Sequence, residues 1–147
     1  MNFKKIALAS DHAGYEMKEL LKKYLLEKGI ETVDFGTNSA ESVDYADFAH
    51  PMAKSVEDGS CDAGIAICGS GNGISMTVNK HQKIRAALCW TQEIAQLARA
   101  HNDANICSLP ARFITFETAV EIVDIFISTK FEGGRHADRI KKIPDCG

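Results

Sequence analysis

No apolar run in the 147-residue chain approaches the roughly 20 residues needed to cross a bilayer, so no membrane partner is expected. The sequence has one tryptophan, no basic block and a net charge of −3. A nucleic-acid backbone needs a clustered basic face, and none is available here. Five cysteines, at 61, 68, 89, 107 and 146, form neither a C-x-x-C pair nor a zinc spacing. An odd count with no leader points to reduced thiols and a cytoplasmic protein. Two lysines near the start precede only four apolar residues before Ser10-Asp11-His12, which suits a first strand rather than a signal peptide. His12, His101 and His136 share no ligand spacing, and clustered carboxylates are lacking, so no metal site is expected.

What is present is a regular alternation. With 45% hydrophobic and 25% charged residues, the chain suits one domain over 1–147 that buries roughly two thirds of its unfolded surface. Residues 4–9 read as a buried strand, followed by apolar residues at 17, 20, 21, 24 and 25 on one helical face, with Gly29 as the stop. Further strands are expected at 32–35, 63–68, 84–89 and 105–109. Helices are expected at about 46–57, after the glycine loop, from Thr91 to His101, after Thr115, and over 135–139. Five strands alternating with helices give an α/β fold. We expect a parallel, five-stranded, Rossmann- or flavodoxin-like sheet with helices on both faces and a short C-terminal helix.

The most informative stretch is Cys68-Gly69-Ser70-Gly71-Asn72-Gly73, a strand end running into a loop with three glycines. Such a loop turns backbone N–H groups toward an anion, and a thiol at its edge lies in a field that favours thiolate. It is neither the dinucleotide fingerprint G-x-G-x-x-G nor a Walker loop, since Lys80 is too far along, and Ser70 lacks a G-x-S-x-G elbow. A tight packing turn would read the same way. Asp11 and His12 lie at the C-terminal end of the first strand, where open α/β sheets bind ligands. Position alone does not separate that role from an N-cap and a first-turn surface residue. Tyr45 suits a hydrophobic staple, and His101 a helix C-terminal cap. Arg135 and Arg139, at i and i+4 beside His136, form either a solvated face or a phosphate fork. Arg112, after the fifth strand, adds a third of the five arginines to the last 36 residues. His50 and His81 have no such company and read as plain surface residues. Cys61, Cys89, Cys107 and Cys146 read as small hydrophobes.

Taken in order, Ser10-Asp11-His12-Ala13-Gly14, the 68–73 loop, Asn79-Lys80, His101-Asn102 and Arg135-x-x-x-Arg139 make the whole chain resemble the type B ribose-5-phosphate isomerases. These share a superfamily with the subunits of galactose-6-phosphate isomerase. The resemblance implies cofactor-free interconversion of D-ribose 5-phosphate and D-ribulose 5-phosphate through an enediolate. It implies Cys68 as the base at C2, His101 as the group that helps open the sugar ring, and Ser70 as a catalytic hydroxyl where other thiol-type members carry threonine. Asp11, His12, Asn102 and Gly69, Ser70, Gly71, Asn72 and Gly73 match sugar-binding positions, with Tyr45 in the pocket. Arg112, Arg135 and Arg139 match the phosphate clamp. Family sites are built across a dimer interface, so a homodimer or higher homo-oligomer is expected. Some relatives place a glutamate after the loop instead of the cysteine; this chain has Ile74 there and keeps the thiol. Other readings are a six-carbon sugar phosphate as substrate (allose or galactose 6-phosphate), a non-catalytic phosphate-binding module and a thiol redox sensor.

Overall fold

The computed structural model describes residues 3–144. Five strands, β1 (Lys5–Ser10), β2 (Glu31–Asp34), β3 (Ala63–Cys68), β4 (Ala86–Leu88) and β5 (Ile106–Pro110), pair in parallel in the order β2-β1-β3-β5-β4. β1, β3 and β5 are central and almost wholly buried, which is why they read as continuous apolar runs.

The period of two divides the core into two layers. Ile6, Leu8, Ile65, Ile67, Cys107 and Leu109 face one side, against α1 (Tyr15–Glu27), α4 (Gln92–Ala100) and α5 (Phe116–Ser128). Ala7, Ala9, Ala66, Cys68 and Ile106 face the other, against α2 (Tyr45–Glu57) and α3 (Asn72–Val78). Helices therefore cover both faces, and α6 (Arg135–Ile140) is the short C-terminal helix. Thr91 and Thr115 cap α4 and α5 by accepting the amides of Ile94 and Thr118, as the sequence suggests.

The expected stripe on α1 needs one correction. Leu20 is 46% exposed, and Lys18 is buried in the layer instead, at 0%. Lys18 is held there by Asp34 at the end of β2, 2.7 Å away. A pairing between elements overrides the apolar period, which knows only residues along one helix.

Candidate active site

Cys68 is the last residue of β3, and its side chain is 4% exposed. The chain then has to turn within three residues into α3. Gly71 does this at φ +79°, where a Cβ would lie 2.4 Å from Leu88 Cδ1 and 3.2 Å from the Leu109 carbonyl, so only glycine suits the position. Ser70 Oγ accepts the Asn72 amide at 3.2 Å, which leaves its own O–H proton free to donate elsewhere. The Gly73 and Ile74 amides fall in the first turn of α3 and have no carbonyl partner within the helix. The exit of β5 is bonded to the same turn. Ala111 N donates to the Cys68 carbonyl at 2.9 Å and Arg112 N to that of Gly69 at 3.0 Å. Those bonds lay the Arg112 guanidinium over Gly69, where a Cβ would stand 3.2 Å from Nη1.

Asp11 is the N-cap that its position allowed, and it also stands at the cavity. Its Oδ1 accepts the Gly14 amide at 3.1 Å, capping the 3-10 turn of His12–Gly14, and its side chain also lines the cavity beside Cys68. His12 Nδ1 accepts the Val43 amide at 3.2 Å, which assigns the ring proton of the neutral form to Nε2. Tyr45 is the first residue of α2, and its ring lies against Gly73, where a Cβ would be 2.4 Å from Cζ.

Apart from His12, which does not line the cavity, these residues meet at the C-terminal edge of the sheet. A cavity of about 490 Å³ is lined by Asp11, Tyr45, Cys68, Gly69, Ser70, Gly73 and Arg112. Phe113, which no sequence signal singled out, closes one side. Gly71 and Asn72 shape the loop without lining this cavity.

His101, Asn102, Arg135 and Arg139 stand elsewhere on the chain. Ile106 pairs with Gly64 and Pro110 with Cys68, so β5 runs its full length between the 101–105 turn and the thiol. That separation is about 13 Å along the strand alone. At that far end His101 and His136 stack with centroids 4.2 Å apart and planes 11° apart. Glu132 Oε1 lies 3.7 Å from His101 Nε2 and 3.6 Å from His136 Nε2. The His136 pKa is lowered, first by lost hydration and then by the neighbouring His101 and Arg135 charges.

The three ligand atoms of His101, Glu132 and His136 lie within 4.8 Å of one another, a grouping that residue spacing does not disclose and that could hold a metal ion.

His50 and His81 require a correction. Instead of standing alone, His50 Nδ1 and His81 Nε2 share a hydrogen bond of 2.8 Å, and His81 Nδ1 donates to Glu57 Oε1 at 2.8 Å. Cys61, Cys89 and Cys107 are free and buried, in keeping with small apolar roles. Cys107 is pushed well up in pKa by its bond to Cys89 and by burial. Cys146 lies outside the described residues.

The family model described as Ribose/Galactose Isomerase matches residues 6–143. The chain belongs to that family. The ribose-5-phosphate isomerase B of Escherichia coli (strain K12) is 43% identical over 140 residues, 95% of this chain and 94% of that protein. A crystal structure of the Thermotoga maritima ribose 5-phosphate isomerase superposes with a TM-score of 0.94 at 54% identity, covering 95% of this chain and 97% of that one. The Mycoplasma genitalium ribose-5-phosphate isomerase B, crystallised with bound ribulose 5-phosphate, gives 0.92 at 42% identity, covering 95% and 93%. Membership makes the protein an isomerase of the sugar-phosphate class, with the same parallel sheet as these family structures. No helix among the described residues is long and apolar enough to cross a membrane.

Proposed function

We propose that the protein interconverts D-ribose 5-phosphate and D-ribulose 5-phosphate through an enediolate, without a cofactor, in sites completed by a second copy of the chain. The observation that carries this reading is the cavity lined together by Cys68, by Gly69, Ser70 and Gly73 of the turn, and by Arg112. A proton on carbon beside a carbonyl is weakly acidic, so its removal needs a base and fixed donors for the oxygens that become negative. Cys68 as thiolate takes the C2 proton and returns it at C1, while the hydroxyl proton of O2 passes to O1. The Gly73 amide and the Ser70 hydroxyl hold the enediolate oxygens, each such donor contributing about 3–4 kcal/mol to barrier lowering. Asp11 binds sugar hydroxyls, while Arg112 and the Nε2–H of His12 bind the phosphate.

His101 opens the furanose ring, Asn102 binds the sugar, and Arg135 and Arg139 complete the phosphate clamp. Because these four stand at the far end of β5, a homodimer that seats one protomer's far end against its partner's thiol cavity supplies them. The phosphate contacts fix the remote end of the substrate and turn binding energy into orientation at C1 and C2.

Replacing Cys68 by serine tests the reading. Loss of a general base lowers kcat by about 10²–10⁴-fold, measured as ribulose 5-phosphate formed from ribose 5-phosphate. Full turnover by Cys68→Ser would contradict the assignment.

A further inference from the structure

We infer that Asp34, held by the buried Lys18, is a positioning residue that fixes the 36–44 segment and thereby the tautomer of His12 and the seat of Tyr45. The inference deepens the isomerase reading and rests on it for the roles of His12 and Tyr45.

Lys18 is fully buried, and its Nζ donates to Asp34 Oδ2 at 2.7 Å and to Glu19 Oε1 at 2.9 Å, with the Tyr15 ring 5.5 Å away. Lys22 donates to the same Asp34 oxygen at 3.0 Å. The second oxygen, Oδ1, accepts the Gly36 amide at 2.8 Å. Gly36 O in turn accepts the Ser10 amide at 2.8 Å, and Thr37 N donates to Ser10 O at 2.8 Å. The 36–37 peptide is therefore clamped to the residue that precedes Asp11 and His12. Gly36 sits at φ +99°, and a Cβ there would be 2.6 Å from the Phe48 ring of α2, so the clamp also seats that helix. The chain then runs through exposed residues 38–42 to Val43, whose amide sets the His12 tautomer, and on to Tyr45.

A buried ion pair is a weak source of stability, since its desolvation offsets most of its attraction and an apolar pair of similar volume often does as well. What a carboxylate provides and an apolar side chain cannot is the acceptor for Gly36. Lys18 and Lys22 hold its other oxygen, so the carboxylate cannot turn away. Stability alone does not call for this lysine in the core; the registration of the 36–44 segment does.

The test uses the apolar double variant Lys18→Met/Asp34→Leu, which leaves no charge in the layer and no acceptor for Gly36. On ligand-free protein, ¹⁵N histidine spectra above the ring pKa report the His12 tautomer. The wild type is expected to show one tautomer and the double variant a mixture. KM for ribose 5-phosphate is expected to rise roughly tenfold while kcat changes less than about threefold, because binding groups rather than the base are displaced. A double variant with the wild-type KM and a single His12 tautomer would overturn the inference, whatever its Tm. Where that variant does not fold, Lys18→Met/Asp34→Ala, which likewise removes the acceptor for Gly36, is read by the same two measurements, with unchanged values again overturning it. A wild type that does not turn over ribose 5-phosphate would refute the isomerase reading instead. The tautomer, which needs no substrate, still decides the structural part.

Discussion

At position 73 a methyl group would sit 2.4 Å from Tyr45 Cζ and 2.7 Å from its hydroxyl oxygen, while at 71 it would meet Leu88 and the Leu109 backbone at φ +79°. The two glycines look alike in the sequence, yet they answer to different constraints. Tyr45 is 40% exposed and can swing aside, and alanine is better than glycine inside α3 by about 1 kcal/mol. Gly73→Ala should therefore fold with a Tm within a few degrees of wild type, yet raise KM roughly tenfold by displacing a ring from the cavity wall. Gly71→Ala has no such escape, because left-handed backbone and a fixed carbonyl oppose it together. It should lose about 2 kcal/mol or more of stability, read from denaturant midpoints. Equal losses of stability in both variants would contradict this division.

Among the elements, α1 and β2 show what local pattern can and cannot disclose. The helix, its Gly29 stop and the threonine caps of α4 and α5 were legible because each depends on residues within a turn of one another. The burial of Lys18 in place of Leu20 was not, since its partner Asp34 lies 16 residues away on a strand. The His50–His81–Glu57 chain was hidden for the same reason, linking α2 to the segment after α3. Burial pushes the Asp34 carboxyl up, but hydrogen bonds from Lys18, Gly36 N and Lys22 outweigh it and leave its pKa below the ordinary 3.8. A carboxylate lowered on folding contributes stability that is complete above its unfolded value and lost as pH falls through the folded one. Lys22, raised above 10.5 by Asp34, contributes stability that is present below its unfolded value and lost as pH rises through the folded one. The Tm difference between wild type and Lys18→Met/Asp34→Leu should hold constant across neutral pH and shift against the wild type below about pH 4. A difference that stays flat down to pH 2 would show that the pair carries no such linkage.

For the whole molecule, the split between Cys68 and His101 is the decisive feature. The thiol, its glycine turn and Asp11 were legible because strand ends in a parallel sheet collect at one edge, and Arg112 follows from the end of β5. The distance from these residues to His101, Asn102, Arg135 and Arg139 was not, because motif order along a chain says nothing about how far apart folding leaves its parts. In the proposed two-fold dimer, one protomer's far end in its partner's cavity would bring all of them together twice. Mixing two variants expected to be nearly inactive alone, Cys68→Ser and His101→Asn, tests this most directly. After co-refolding, half of the dimers are mixed, and each mixed dimer holds one site with an intact thiol from one chain and an intact His101 from the other. Ribose 5-phosphate turnover should recover to about a quarter of the wild-type value. No recovery from a mixture shown to exchange subunits would place both groups in one chain and contradict the shared site.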